Sequence, residues 1–235
     1  MLVAEFLGTG VLTLVVLSVQ RSQLSLGYFI AIAAGIAVAG LSFIFASASG
    51  AHFNPAITIG LWSIGKVKSL PAVAYLVAQL LGGWAAYGVY TYFVNSSLPQ
   101  IGGHFTARVL LAEAVGAFIF ALVWAAVAAQ KLSSSVVGIG LALGILVAGV
   151  ASLGMVNPAV ALGTRAWALG FKGSVGWGTY ALGPIIGGVV GFNLYQLVFG
   201  EGLTQFKMMA AGASSSTSAP VKVAARAKTP AKKRK

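Results

Sequence analysis

The sequence predicts an all-α membrane protein, with six transmembrane helices and two re-entrant half-helices arranged as an inverted repeat. Three observations lead to this fold class. Of the 235 residues, 58% are hydrophobic and 8% are charged, whereas about 25% of the residues in a soluble domain are charged. Apolar stretches of membrane-spanning length occur along most of the chain, and short segments of the first half recur in order in the second. A water-soluble enzyme or binding domain is therefore not expected.

Six apolar stretches are long enough to cross a membrane, because a hydrocarbon core of about 30 Å requires about 20 apolar residues in a helix. The first stretch begins at Met1 without a basic region and carries Glu5. It is therefore predicted to be a membrane span rather than a cleaved signal peptide. The predicted spans are residues 1–20, 27–47, 69–94, 109–130, 132–153 and 173–200.

Two further apolar segments, residues 54–64 and 157–168, are too short to cross. Apolar segments of this length are more often re-entrant or buried than spanning. Irregular backbone at membrane depth is tolerated only inside protein or beside a water-filled cavity. We therefore expect both segments to enter the membrane and return.

The chain contains an internal repeat. Ala-Glu-Phe-Leu-Gly-Thr at 4–9 resembles Ala-Glu-Ala-Val-Gly-Ala at 112–117, and Asn-Pro-Ala-Ile-Thr-Ile-Gly at 54–60 resembles Asn-Pro-Ala-Val-Ala-Leu-Gly at 157–163. Gly-Gly pairs at 82–83 and 187–188 follow Tyr75 and Tyr180 at the same spacing. The halves, about 1–105 and 106–206, each hold three predicted spans, so the second half must insert upside down. Inverted repeats place a site at the membrane midplane, where broken helices meet.

The segments Asn54-Pro55-Ala56 and Asn157-Pro158-Ala159 are typical of helix starts. Asparagine is a favoured N-cap, and proline suits the first helical position. With the side-chain oxygen used for capping, we expect each carboxamide NH₂ to point into a lumen as a donor. Each helix N-terminus carries roughly half a positive charge. Two such ends facing each other oppose cations and protons but pass neutral molecules.

The positive charge is concentrated near the end of the chain. The net charge is +12, and residues 207–235 hold eight of the fifteen Lys and Arg residues and no acid. This Ala-, Ser-, Pro- and Lys-rich tail is predicted to be disordered, following a channel domain at 1–206. Because basic segments stay on the cytoplasmic side, we expect the C-terminus there. The even number of predicted spans then places the N-terminus on the same side. The tail could bind anionic lipid, and nucleic acid is not an expected partner.

The same segments carry a family resemblance. Residues 4–9, Ser-Gly-Ala-His-Phe-Asn-Pro-Ala-Ile-Thr at 49–58 and Met-Val-Asn-Pro-Ala at 155–159 resemble the aquaporin and glycerol-facilitator family, the major intrinsic proteins. The resemblance extends over about residues 1–200. It implies a channel of six spans and two half-helices in the lipid bilayer, a homotetramer with one pore per subunit. We expect the plasma or cell membrane rather than an internal membrane.

The resemblance also assigns roles to three ionisable residues. It implies that Glu5 and Glu113, at matching positions of the two halves, hold the re-entrant loops by hydrogen bonds. The alternative is that these carboxylates lie exposed at the head groups. His52 is expected beside the cytoplasmic vestibule, and the alternative is a hydrogen-bonded packing residue.

The family's outer selectivity filter maps onto Ala34, Ile145, Gly154 and Val160. Most members carry an arginine where this chain has Val160, and an aromatic residue where it has Ala34. The expected constriction is therefore wide and apolar, without a fixed cation. Arg165 could reach it from another direction, but is expected to be a loop or head-group residue.

The expected function is a passive channel for water and for small neutral solutes such as glycerol. Two alternatives stay open: a poorly conducting structural or adhesive membrane protein of the same fold, and a channel for small solutes rather than water. An enzyme or coupled transporter requires intramembrane acids or histidines, and the candidates Glu5, Glu113 and His52 have structural explanations. With no cysteine and three acidic residues, neither a metal site nor a cofactor is expected.

Overall fold

The structure is a computed structural model that describes residues 1–22, 27–103, 105–167 and 176–200, and within these ranges it contains helices and loops but no β-strand. Residues 1–197 form one compact unit, and of the second unit, 198–235, only 198–200 are described. The predicted tail and the predicted domain boundary at 206 lie outside the described residues.

The helices are α1 Leu2–Gln20, α2 Gly27–Ser49, α3 Pro55–Ser63, α4 Ser69–Val94, α5 Ala107–Ala129, α6 Val137–Ala148, α7 Pro158–Gly163, α8 Trp177–Tyr180 and α9 Leu182–Tyr195. A 3₁₀ turn, Ser134–Val136, leads into α6, and a π-helical turn, Gln196–Gly200, follows α9.

The predicted all-helical membrane fold is confirmed. Five helical segments in the described ranges are long and apolar enough to cross a membrane: Leu2–Gln20, Gly27–Ser49, Ser69–Val94, Ala107–Ala129 and Trp177–Gly200. The start predicted for the last span, residues 173–175, lies outside the described part of the chain.

The predicted span 132–153 differs from the structure. Its helical part is the shorter apolar segment Ser134–Ala148, after which the chain turns through residues 149–152. The backbone N–H of Ser152 still donates to the Ala148 carbonyl, and Gly154 then adopts a positive φ of 63°. Hydropathy does not register this turn, because the segment after the helix still contains the apolar residues Val150, Ala151 and Leu153.

The helix packing follows the inverted repeat. Helix α1 packs on α4 as α5 packs on α9, and each half-helix packs against the last long helix of the opposite half, α3 on α9 and α7 on α4. The Gly-Gly pairs make these contacts possible. A Cβ on Gly83 would overlap the carbonyl oxygen of Ala159, and one on Gly188 would meet that of Ala56. Each pair therefore holds one Asn-Pro-Ala segment against the opposite half.

Candidate functional site

The two half-helices begin where their sequences predict. Asn54 and Asn157 have extended backbone and act as N-caps, each followed by a proline in the first helical turn. The Asn54 side-chain oxygen accepts from the backbone N–H of Ala56 at 2.8 Å, and that of Asn157 accepts from Ala159 at 3.0 Å and Val160 at 3.3 Å. Both asparagines are 1% exposed, so the two caps lie deep inside the protein.

The carboxamides also cross between the two halves. Nδ2 of Asn54 donates to the carbonyl oxygen of Val156 at 3.0 Å, and Nδ2 of Asn157 donates to that of Phe53 at 2.8 Å. Phe53 and Val156 have positive φ values of 49° and 52°, an uncommon conformation for residues other than glycine. The expectation of a wholly free NH₂ therefore needs correction. One N–H of each amide holds the opposite loop, and only the second remains available as a donor.

The Glu5 carboxylate lies under the first re-entrant segment, residues 50–53. Oε1 accepts from the Ser49 hydroxyl at 2.6 Å and from the backbone N–H of His52 at 3.0 Å. Oε2 accepts from the backbone N–H of Phe53 and from Nε2 of Gln79, each at 2.7 Å. The side chain is 0% exposed, so the alternative of a head-group position does not hold for Glu5.

Glu113 makes the matching contacts in the second half. Oε1 accepts from the Ser152 hydroxyl at 2.8 Å and from the N–H of Met155 at 2.9 Å, and Oε2 accepts from the N–H of Val156 at 2.6 Å. This carboxylate is also 0% exposed. Each glutamate thus binds peptide N–H groups of the loop just before its motif asparagine. An unpaired carboxylate would be costly at such a position.

Sequence reasoning assigned no role to Ser49, Ser152 or Gln79. Each serine donates to its glutamate and accepts from a loop N–H, from Ala51 at 3.1 Å and from Gly154 at 2.9 Å. The serines stand the same distance before the two motif asparagines, so the repeat itself carried the signal. Gln79 has no counterpart, because Pro184 occupies the matching position in the second half.

His52 lies in a polar and aromatic environment. Its Nδ1 is 3.2 Å from the Thr58 hydroxyl, which also accepts from Nε2 of Gln79 at 2.8 Å. Its ring contacts those of Tyr75 and Trp124 in edge-to-face geometry, with centroids 5.2 and 5.8 Å apart. The ring is therefore both hydrogen-bonded and packed.

All four predicted filter residues are buried. A Cβ on Gly154 would lie 3.0 Å from the Ile145 carbonyl oxygen, so the structure brings these two residues together. Ala34, Ile145 and Val160 belong to one buried apolar cluster. Gly35, next to Ala34, packs against the Gly138 carbonyl of α6, the helix that also carries Ile145.

Arg165 follows α7 and turns toward α4. Its guanidinium carbon lies 5.7 Å from the centroid of the Tyr87 ring, and its Nε is buried without a hydrogen-bond partner. The residue is half-buried, and its carbonyl accepts from the N–H of Ile101 at 3.0 Å. It is therefore a loop residue as expected, but its side chain packs on a helix instead of lying free at the head groups.

Metal-binding chemistry has little support in the described ranges. They contain no group of three or more His, Cys, Asp or Glu residues that could hold a metal ion. The polar groups that converge at the centre are amides, hydroxyls and two glutamates already engaged by N–H and O–H donors. The arrangement can donate hydrogen bonds to a passing molecule.

Known proteins are similar to this chain in sequence and in fold. A family model described as Major intrinsic protein matches residues 1–195. The chain is 28% identical over 230 residues to Aquaporin Z of Photorhabdus laumondii, covering 85% of this chain and 97% of that protein. It is 32% identical over 190 residues to Aquaporin AqpM of Methanothermobacter thermautotrophicus, covering 73% and 77% respectively. The X-ray structure of the aquaglyceroporin from Plasmodium falciparum matches with a TM-score of 0.63 and 25% identity, over 84% of this chain and 95% of that one.

Proposed function

The chain belongs to the major intrinsic protein family and is a passive channel for water and small solutes, and we propose that solutes cross it at the junction of the two half-helices. The observation that carries the proposal is the reciprocal pair of bonds from Asn54 to Val156 and from Asn157 to Phe53. These bonds bring two helix N-termini together in the interior. Each asparagine keeps one N–H for a passing molecule.

This junction favours neutral molecules. A helix N-terminus carries roughly half a positive charge, and two of them in a region of low dielectric oppose the entry of cations. A water molecule can accept a hydrogen bond from an asparagine N–H as it passes and then release it. Ions lose their hydration shell in a narrow apolar pore and gain no compensating ligands.

The proposed filter is the buried set of Ala34, Ile145, Gly154 and Val160. These residues include no charged and no aromatic side chain, so the proposed ring is apolar and wider than one that carries an arginine and an aromatic residue. Water crosses it as a chain bonded mainly to itself, and glycerol is not excluded there by size. Glu5, Glu113 and His52 act on the loops through their hydrogen bonds and take no part in chemistry, so the proposal includes no enzymatic activity.

The proposed organisation is a channel domain at 1–206, built from repeats of about 1–105 and 106–206, and a basic tail at 207–235. We place both termini on the cytoplasmic side of a plasma or cell membrane, because the tail carries eight basic residues and no acid. The tail is available to anionic lipid, and the assembly is a homotetramer with one pore per subunit.

Osmotic shrinkage of liposomes that contain the purified protein tests the function. We expect faster shrinkage than in empty liposomes, and swelling when glycerol is supplied outside. Glycerol swelling without faster water loss would favour a channel for solutes rather than water. Rates equal to those of empty liposomes in both assays would support the poorly conducting alternative.

A further inference from the structure

The two ends of the pore differ more than the repeat requires. His52 stands two residues before Asn54, and Met155 stands two residues before Asn157. Trp124 and Val16 also occupy matching positions, because each lies the same number of residues after the glutamate of its half, Glu113 or Glu5. The aromatic rings of His52 and Trp124 therefore lie at the first re-entrant segment, residues 50–53. The matching positions of the repeat hold Met155 and Val16, which are not aromatic.

Trp124 lies on the inward face of α5. It continues the stripe of buried residues formed by Glu113, Ala117, Phe120 and Ala121, whose spacing marks one face of a helix. Its ring contacts two interior side chains, His52 and Phe192, each with centroids 5.8 Å apart. Trp124 is nevertheless only half-buried. Because this face of α5 points inward, we infer that the exposed part of the indole faces the pore.

The indole is held in place on both sides. Edge-to-face contacts at this distance are favourable, and Phe192 is itself 0% exposed. Phe192 packs so closely on α3 that a Cβ on Gly60 would overlap its ring. The chain of contacts from His52 through Trp124 to Phe192 thus ties the indole to the first half-helix and its loop.

The indole also offers a hydrogen-bond donor. Its N–H donates to no atom of the residues that the structure describes, and it is not among their enclosed unpaired polar atoms. A hydroxyl or carbonyl oxygen of a solute can accept from it while the carbon skeleton lies against the aromatic face.

We propose that Trp124 is the specificity-determining residue of the channel, and that solute size is selected beside residues 50–53 and not at the ring of Ala34, Ile145, Gly154 and Val160. The substrate class is small neutral solutes that carry hydroxyl or carbonyl groups. This inference rests on the proposed function, since it concerns the same pore. It places the steric limit at the cytoplasmic end in the proposed orientation.

The test compares water and glycerol permeability in liposomes for the wild type, Trp124→Ala, Trp124→Phe and the control Trp84→Ala. Trp84 lies on α4 and is 63% exposed, so its removal leaves the interior intact. Trp124→Ala is expected to raise the ratio of glycerol to water permeability on the order of 10-fold, because removing a few atoms that restrict a binding pocket changes discrimination by about this factor. Trp124→Phe is expected to raise it less, and Trp84→Ala to leave it unchanged.

A conducting wild type combined with an unchanged ratio in Trp124→Ala would overturn the inference and leave the proposed function standing. If Trp124→Ala does not fold, the conservative Trp124→Phe decides: a raised ratio supports the inference, and an unchanged ratio overturns it. A wild type no more permeable to water or glycerol than empty liposomes would contradict the proposed function, and the inference with it.

Discussion

Nδ2 of Asn157 lies 2.8 Å from the carbonyl oxygen of Phe53, and this bond joins the second half-helix to the loop of the first. The acceptor residue Phe53 has a positive φ of 49°. The same asparagine caps its own helix through its side-chain oxygen. A single side chain thus fixes both the start of a helix and its distance from the opposite half.

The variant Asn157→Asp separates these two roles. Aspartate caps a helix about as well as asparagine, but it has no N–H to donate to the Phe53 carbonyl and places two oxygens against each other. We expect a loss of about 1–3 kcal/mol of stability and weaker exclusion of cations, because a negative charge offsets the helix ends. Thermal unfolding in detergent and cation flux into liposomes measure the two effects. Asn95→Asp, at the exposed end of α4, is the matched control, and equal behaviour of both variants would contradict the prediction.

The variant Glu113→Gln tests the support of the second loop. An amide can present only one acceptor oxygen, whereas Glu113 accepts from the N–H groups of Met155 and Val156 and from the Ser152 hydroxyl. At least one buried donor is left unsatisfied, at a cost of about 1–3 kcal/mol. We expect a lower unfolding temperature and reduced water permeability per protein. Ser152→Ala keeps both hydrogen bonds from backbone N–H groups to Glu113, so it should lower the unfolding temperature and the water permeability less. A larger effect of Ser152→Ala would show that the backbone hydrogen bonds are not the important contacts.

The variant Gly83→Ala tests the packing of α7 on α4. A Cβ at Gly83 would overlap the Ala159 carbonyl oxygen, whereas Gly88 of the same helix has open space. Overpacking of this kind costs about 1–3 kcal/mol, while alanine in place of an unhindered helical glycine gains up to about 1 kcal/mol. Gly83→Ala should therefore lower the unfolding temperature and the water permeability, and Gly88→Ala should lower neither. Identical unfolding curves for the two variants would rule out the close approach.

The variant Val160→Arg tests the proposed filter. Arginine would narrow the ring near Gly154 and Ile145 and supply a fixed cation, so glycerol permeability should fall by a larger factor than water permeability. Paired stopped-flow measurements on liposomes give both values. The control is Val150→Arg, since Val150 is 88% exposed in the turn after α6. Equal fractional changes for the two solutes, or none, would mean that Val160 does not line the pore.

Local sequence predicted the parts of the site that depend on local chemistry. The starts of α3 and α7 follow from asparagine and proline at adjacent positions, and the structure begins the helices at Pro55 and Pro158. The span 132–153 was predicted too long, because hydropathy measures composition and not the turn after Ala148.

Contacts between distant segments could not be predicted in the same way. Gln79 reaches Glu5 across 74 residues of sequence, and Trp124 meets His52 only because α5 and the first loop pack together. Neither contact leaves a mark on hydropathy or spacing. The crossing bonds of Asn54 and Asn157 likewise depend on the inverted arrangement of the halves, which fixes their partners only in the assembled fold.

The crossing bonds have a consequence for the order of biosynthesis. Each glutamate cluster is complete within its own half, since Glu5 draws its partners from residues 49–79 and Glu113 from residues 152–156. The side-chain amide of Asn54, by contrast, donates to the carbonyl oxygen of Val156, which is 102 residues further along the chain and is synthesised later. During translation the first re-entrant loop can therefore be shaped early, but its asparagine amide lacks its final partner until the second loop has been inserted. The glutamate clusters can thus form within each half, whereas the crossing bonds and the packing of α3 on α9 require both halves in the membrane.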